Sequence, residues 1–214
     1  MRRTKPLLVL VHGWAFDHRV WEALRAALPD YDAVTVDLGF FGSSQMPDLP
    51  ADRPLVAVGH SLGVLWLLAR QPFAWAGMVS INGFPRFIEG PDYAPAVAPR
   101  VLDRMIARFS REPEAVVDGF RRRCGLAAPR PHGFDNARLL EGLEWLRDLD
   151  ARTALDGRPL LALAGAEDPV VSPGMAEMAF GVVIWQAAGG HLLPLTHPMW
   201  CAGLIRAFVE GVVP

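Results

Sequence analysis

The 214-residue sequence predicts an α/β protein: a mostly parallel central sheet flanked by helices, with a helical segment inserted between two strands. Three observations carry that prediction. Apolar runs of strand length at residues 7–11, 54–58 and 159–164 are continuous rather than alternating, as expected of strands covered on both faces. Each runs into a glycine-bearing loop: His12-Gly13-Trp14-Ala15, Gly59-His60-Ser61-Leu62-Gly63, and Gly165-Ala166-Glu167-Asp168. Between these runs the apolar spacing turns helical, and from residue 85 to 151 it displaces the strand pattern.

Composition bounds the rest. Hydrophobic residues make up 51% of the chain, enough for a large core in one domain. A net charge of −2 argues against a general nucleic-acid binder, and no segment has the length of a membrane span. Cys124 and Cys201 are too few for a disulfide framework and lack metal-ligand spacing, so reduced cytoplasmic thiols are expected, with no metal or cofactor. The start, Met1-Arg2-Arg3-Thr4-Lys5-Pro6, is basic, but the apolar stretch after it is too short for a signal peptide and runs straight into a motif. A cytoplasmic monomer is the expectation.

In chain order, the strand at 7–11 leads to a helix at 19–28 that Pro29 ends, then to a strand at 33–37 and the loop 38–44. Asp37, at the end of an early strand, reads as a structural carboxylate. The short interval before residue 54 contains Pro47 and Pro50, which leaves no room for a full helix. The elbow strand follows, then a buried helix from Val64 to Arg70 and strands at 76–81, 159–164 and 182–185, with a final helix at 199–210. The core is thus expected at 1–84 and 152–214, with 85–151 as a helical cap. Within the cap, Arg100, Arg104, Arg108 and Arg111 fall in a sector of about 80°. Val101, Leu102, Met105, Ile106 and Phe109 take the other side. Between Arg86 and Arg130 there are nine Arg against six Asp and Glu, a local positive excess that suits a solvated face or an acidic or phosphorylated partner.

The chemistry centres on Ser61. A serine at the apex of a strand–turn–helix needs small residues two before and two after, so that strand and helix can approach. The helix then points its free N–H groups at an oxyanion. A serine hydroxyl also needs a histidine to take its proton and a carboxylate to hold that histidine. Asp168 and His191 follow Ser61 in that order, both on loops after strands, and Glu167 is the competing acid. Of the remaining histidines, His12 and His60 belong to the loop motifs, His18 and His132 lie on a helix lead-in and in the cap, and His197 precedes the last helix.

These segments resemble the α/β-hydrolases over nearly the whole chain. Residues 139–152, the early Val-His-Gly-Trp-Ala and the late His-x-x-Pro-x-x-x-His-Pro are similar to the pimeloyl-[acyl-carrier protein] methyl ester esterases of biotin synthesis. The resemblance implies a cofactor-free serine carboxylesterase that frees pimeloyl-carrier protein and methanol, with Ser61, Asp168 and His191 as triad. It implies backbone N–H groups of Trp14 and Leu62 as oxyanion donors. Substrate contacts would come from these two residues, His191 and the segment Phe120-Arg121-Arg122-Arg123-Cys124, which matches the family only in its Phe. An acyl-carrier protein is the implied partner, although the cap arginines do not keep the family's register. The chain lacks the family's usual first two strands and the helix before the elbow strand, so a member trimmed at the N-terminus is expected. A general short-chain carboxylesterase, a type II thioesterase or acyltransferase, and a non-catalytic binding protein on the same fold remain as alternatives.

Overall fold

The computed structural model describes residues 5–126, 128–155 and 157–213; residues 1–4 of the basic start lie outside it. Six strands form one sheet in the order β2-β1-β3-β4-β5-β6. They are β1 (Leu7–Val11), β2 (Ala33–Val36), β3 (Leu55–His60), β4 (Gly77–Ile81), β5 (Leu160–Gly165) and β6 (Ile184–Gln186). All five pairings are parallel, with β3 flanked by β1 and β4. Parallel neighbours need crossovers, and helices on both faces supply them.

The period of two along each strand divides the core. Leu7, Val9 and Val11 face one hydrophobic layer, together with Leu62, Leu65 and Leu68 of helix α2 (Leu62–Arg70). Leu8 and Leu10 face the other, with Leu24 of α1 (Glu22–Ala26) and Ile205 and Val209 of α8 (Pro198–Val212). Every residue of β1, β3 and β4 is buried, which is what their unbroken apolar runs require.

Between β4 and β5 lie α3 (Pro99–Phe109), α4 (Pro113–Arg123) and α5 (Asn136–Asp148). The chain leaves and rejoins the sheet layer at one neck: Arg86 and Asp150 form an isolated antiparallel bridge and an ion pair at 2.8 Å, and Ala151 N–H donates to Pro85 O. The α3 face is amphipathic as its periodicity requires. Leu102 and Phe109 are buried and Arg100, Arg104 and Arg108 exposed, but Val101, expected on the apolar side, is exposed as well.

Three local readings are corrected. The helix expected at 19–28 starts as a tight 3-10 turn (His18–Trp21), N-capped by Asp17, and its α-helical part spans only five residues. The last strand begins at Ile184 rather than residue 182, because Gly181 turns the chain at positive φ and Val182 points into solvent, 83% exposed. Helix α6 (Pro173–Phe180) was not expected. Ser172 caps it by accepting a hydrogen bond from Met175 N–H, with Pro173 in its first turn. The interval from β2 to β3 contains no helix, as the prolines dictate, and α7 (Leu193–Thr196) is a single turn before α8.

Candidate active site

The candidate residues gather at the C-terminal edge of the sheet. Ser61 joins β3 to α2 with φ 52° and ψ −124°, a left-handed conformation that L-residues seldom hold without support. The same strain recurs at Ala15 after β1 and Asn82 after β4, both at positive φ. The Ser61 turn is held by its own N–H, which donates to Ile81 O at 3.1 Å, and by the return bond from Val64 N–H to Ser61 O.

Asp168 and His191 meet directly: Nδ1 of His191 lies 2.8 Å from Oδ2 of Asp168. The other carboxylate oxygen accepts from the Val170 and Val171 N–H groups at 2.7 and 3.0 Å, so the acid is fixed from both sides. Glu167, the competing acid, is exposed. With Nδ1 donating to a carboxylate, a neutral His191 has Nε2 as its basic nitrogen. That nitrogen is buried and has no hydrogen-bond partner among the described residues. Ser61 is 4% exposed and His191 fully buried, so the site is covered.

Two donors are free for an oxyanion. Leu62 is the first residue of α2, where N–H groups have no intrahelical acceptor, and Trp14 lies in the loop after β1; among the described residues neither N–H is bonded to an acceptor. The Trp14 side chain fastens this loop to the inserted helices. Its indole N–H donates to Leu139 O at 2.8 Å and its ring packs edge-on against Phe120 at 5.0 Å. Phe120 also meets the His191 ring at 6.3 Å.

The remaining members of the 120–124 segment spread apart. Arg121 turns inward, 5% exposed, donates to Ala15 O at 2.8 Å and sits over the rings of Phe16 and Phe41. Burial lowers its pKa. Arg122 is exposed, Arg123 donates to Pro169 O beside the acid, and Cys124 is buried, which pushes its thiol pKa up. Asp37 accepts from Gly39 N–H and approaches His12 Nε2 at 3.4 Å, away from the His191 pair. His197 N-caps α8 and meets the Thr196 hydroxyl at 2.9 Å, while His132 is exposed. Among the described residues, no group of three or more His, Cys, Asp or Glu is arranged to hold a metal ion. No described helix is long and apolar enough to cross a membrane.

His60 sits behind the base. Its Nε2 lies 2.8 Å from the His191 carbonyl and can only donate there, while its Nδ1 is buried without a partner among the described residues. Burial, reinforced by the neighbouring His191, holds its pKa well below the ordinary 6.5. In the unfolded chain His60 regains that ordinary value and takes up a proton that the folded protein refuses. The contribution of His60 to stability should therefore be constant above pH 6.5 and fall as pH drops below it. Urea midpoints measured across this range should show the fall, and His60→Gln should flatten it.

No family model matches the chain. A pimeloyl-[acyl-carrier protein] methyl ester esterase of Stenotrophomonas maltophilia (strain R551-3) is 33% identical, aligned over 98% of this chain and 95% of its own. A second, from Aromatoleum aromaticum, is 30% identical over 97% and 99%. The biotin biosynthesis bifunctional protein BioHC of Cellvibrio japonicus is 30% identical over 97% of this chain, which spans 48% of that protein. Among solved structures, a thermophilic esterase from Thermogutta terrifontis superposes with TM-score 0.75 at 22% identity, covering 99% of this chain and 92% of its own. A bromoperoxidase from Bacillus anthracis superposes with TM-score 0.77 at 20% identity, over 97% and 93%. The fold is that of the α/β-hydrolases. With a third of its residues shared along nearly the full length of both proteins, the chain belongs to the pimeloyl-[acyl-carrier protein] methyl ester esterase family.

Proposed function

We propose that this protein is a cytoplasmic serine carboxylesterase that hydrolyses the methyl ester of pimeloyl-[acyl-carrier protein] in biotin synthesis. The observation that carries the reading is the oriented base: a buried His191 locked through Nδ1 to Asp168, with Nε2 unpartnered, in the same cluster of loops as the strained Ser61 elbow. Ser61 Oγ attacks the ester carbonyl while Nε2 takes its proton, and Asp168 stabilises the imidazolium. The Trp14 and Leu62 N–H groups receive the charge that builds on the carbonyl oxygen. Collapse breaks the bond to methoxide, which leaves as methanol with the proton from His191. Water, deprotonated by the same nitrogen, then cleaves the acyl-enzyme and restores Ser61. Every step uses side-chain and backbone groups of the chain, and Phe120, packed on Trp14 and His191, is the wall that a bound acyl chain would touch.

In this reading residues 85–151 form the cap, and its arginines receive the carrier. Arg100, Arg104, Arg111 and Arg122 are exposed and have no carboxylate partner among the described residues, whereas Arg108 pairs with Glu112, and Arg130 with Glu114 and Asp118. Of these, Arg122 lines a cleft of about 410 Å³ together with Asp118, Arg121, Arg130 and His132. Exposed charges of one sign speed encounter with an acidic partner and are screened by salt. Methyl pimeloyl-carrier protein should therefore be hydrolysed with a kcat/KM at least about tenfold above dimethyl pimelate at low salt, the gap closing at high salt. Paired Arg104→Glu and Arg122→Glu changes should remove the gap and leave the free diester unaffected. Equal rates on both esters, indifferent to salt, would leave a general carboxylesterase.

A further inference from the structure

Asn82 is the first residue after β4. It is 1% exposed and adopts φ +49°, a conformation Asn tolerates better than most residues. Its carboxamide makes three hydrogen bonds. Nδ2 donates to Gly190 O at 2.9 Å and to His191 O at 2.8 Å, and Oδ1 accepts from Gly165 N–H at 2.9 Å. Only one orientation of the amide satisfies two carbonyls and one N–H, so donor and acceptor are assigned by the partners themselves.

The partners belong to different segments of the candidate site. Gly165 ends β5, three residues before Asp168, while Gly190 and His191 lie in the loop after β6. The two loops pack backbone to backbone there: a Cβ on Gly165 would stand 2.2 Å from Gly189 O. On the other flank, the carbonyl of Ile81, one residue earlier, accepts from Ser61 N–H. The end of β4, between the strand of the serine and the strand of the acid, thus holds all three segments, and the His191 carbonyl is gripped twice, by Asn82 and by His60. Rotation of that peptide would swing the imidazole away from Asp168.

We propose that Asn82 is a positioning residue for the relay. Its amide fixes the His191 peptide relative to the strand that carries the acid, so that Nδ1 stays on Asp168 while Nε2 stays available to Ser61. The proposal rests on the serine-esterase reading above. A residue that only fills hydrogen bonds would alter how much protein folds; a positioning residue alters the rate of each folded site.

Two variants separate these roles. Asn82→Asp keeps the volume, the tolerance of positive φ and the bond from Gly165 N–H, but turns a carboxylate oxygen toward two carbonyls. Asn82→Gly deletes the amide without straining the backbone. Each is assayed with p-nitrophenyl butyrate, and kcat is normalised to the serines that a p-nitrophenyl phosphonate titrates. Both should lose on the order of 10- to 100-fold in kcat per titrated site, with KM within about twofold of the parent. The downfield proton resonance of the His191–Asp168 hydrogen bond should shift or broaden. If Asn82→Asp does not fold, Asn82→Gly decides alone. A kcat per titrated site within about threefold of the parent, or a loss confined to KM or to the titratable fraction, overturns the proposal. Ser61→Ala, run alongside, tests the parent reading separately: turnover that survives it, in a protein the phosphonate does not titrate, removes the esterase mechanism and Asn82's role with it.

Discussion

Ser61→Ala should leave the fold in place and lower ester turnover by at least about 10⁴-fold. The size follows from what the hydroxyl does. Without Oγ no acyl-enzyme forms, and His191 and Asp168 have no nucleophile to activate. The Trp14 and Leu62 N–H groups remain, and with substrate binding they sustain only the residual rate that such donors give to attack by water. Substrate binding should persist, since the change removes one small, buried atom. Asp168→Asn should cost a comparable factor by a different route. The Val170 and Val171 N–H bonds hold one carboxylate oxygen, so an amide would place its NH₂ against His191 Nδ1 and drive the proton to Nε2, the wrong tautomer for a base. Steady-state kinetics on p-nitrophenyl butyrate with thermal melts in parallel checks both. A chain whose cellular role survives Ser61→Ala is a binding protein on a hydrolase fold.

Order along the chain was enough to nominate that triad. Ser61 was legible because its elbow is local: strand, glycine, serine, glycine and helix occupy 16 consecutive positions, Leu55 to Arg70. Asp168 and His191 were legible because each follows a strand on the expected side of the serine. Asn82 was not. An Asn-Gly pair announces a turn and a left-handed residue. Nothing local announces bonds to Gly165 and to residues 108 and 109 positions away. Arg121 was hidden for the same reason. In sequence it is one of three consecutive arginines, and its burial depends on Phe16 and Phe41 being brought to it from elsewhere. Helix α6 escaped because its apolar residues do not form a stripe, leaving only the Ser172-Pro173 start as a signal. The limits of β6 are set by pairing with β5, Leu163 opposite Ile184, and not by the valines before it.

Gly63→Ala should be the most destabilising single-methyl change in the elbow, and a paired experiment in the same protein isolates why. In the interior of a helix, Gly→Ala ordinarily stabilises by about 1 kcal/mol. Gly203 of α8 is such a position: a Cβ there meets nothing within 4 Å, so Gly203→Ala should raise the melting temperature by about 2–4 °C. At Gly63, also helical, the added Cβ would stand 2.2 Å from Val11 O and 2.8 Å from His12 O. Those are backbone atoms of β1 and of the loop that bears Trp14, and no rotamer change can clear them. The helix must move off the strand, with a cost of about 3 kcal/mol or more and a melting temperature lower by at least about 6 °C. The same movement carries the Leu62 N–H away from Trp14 and opens the oxyanion site. Activity per folded molecule should thus fall by about 10²-fold as well, the size of losing one donor. Gly203→Ala should leave activity unchanged. Opposite signs from one substitution in two helices would tie the motif's last glycine to the approach of α2 to β1; a Gly63→Ala protein as stable and active as Gly203→Ala would mean that α2 is free to shift and that the oxyanion donors do not depend on that contact.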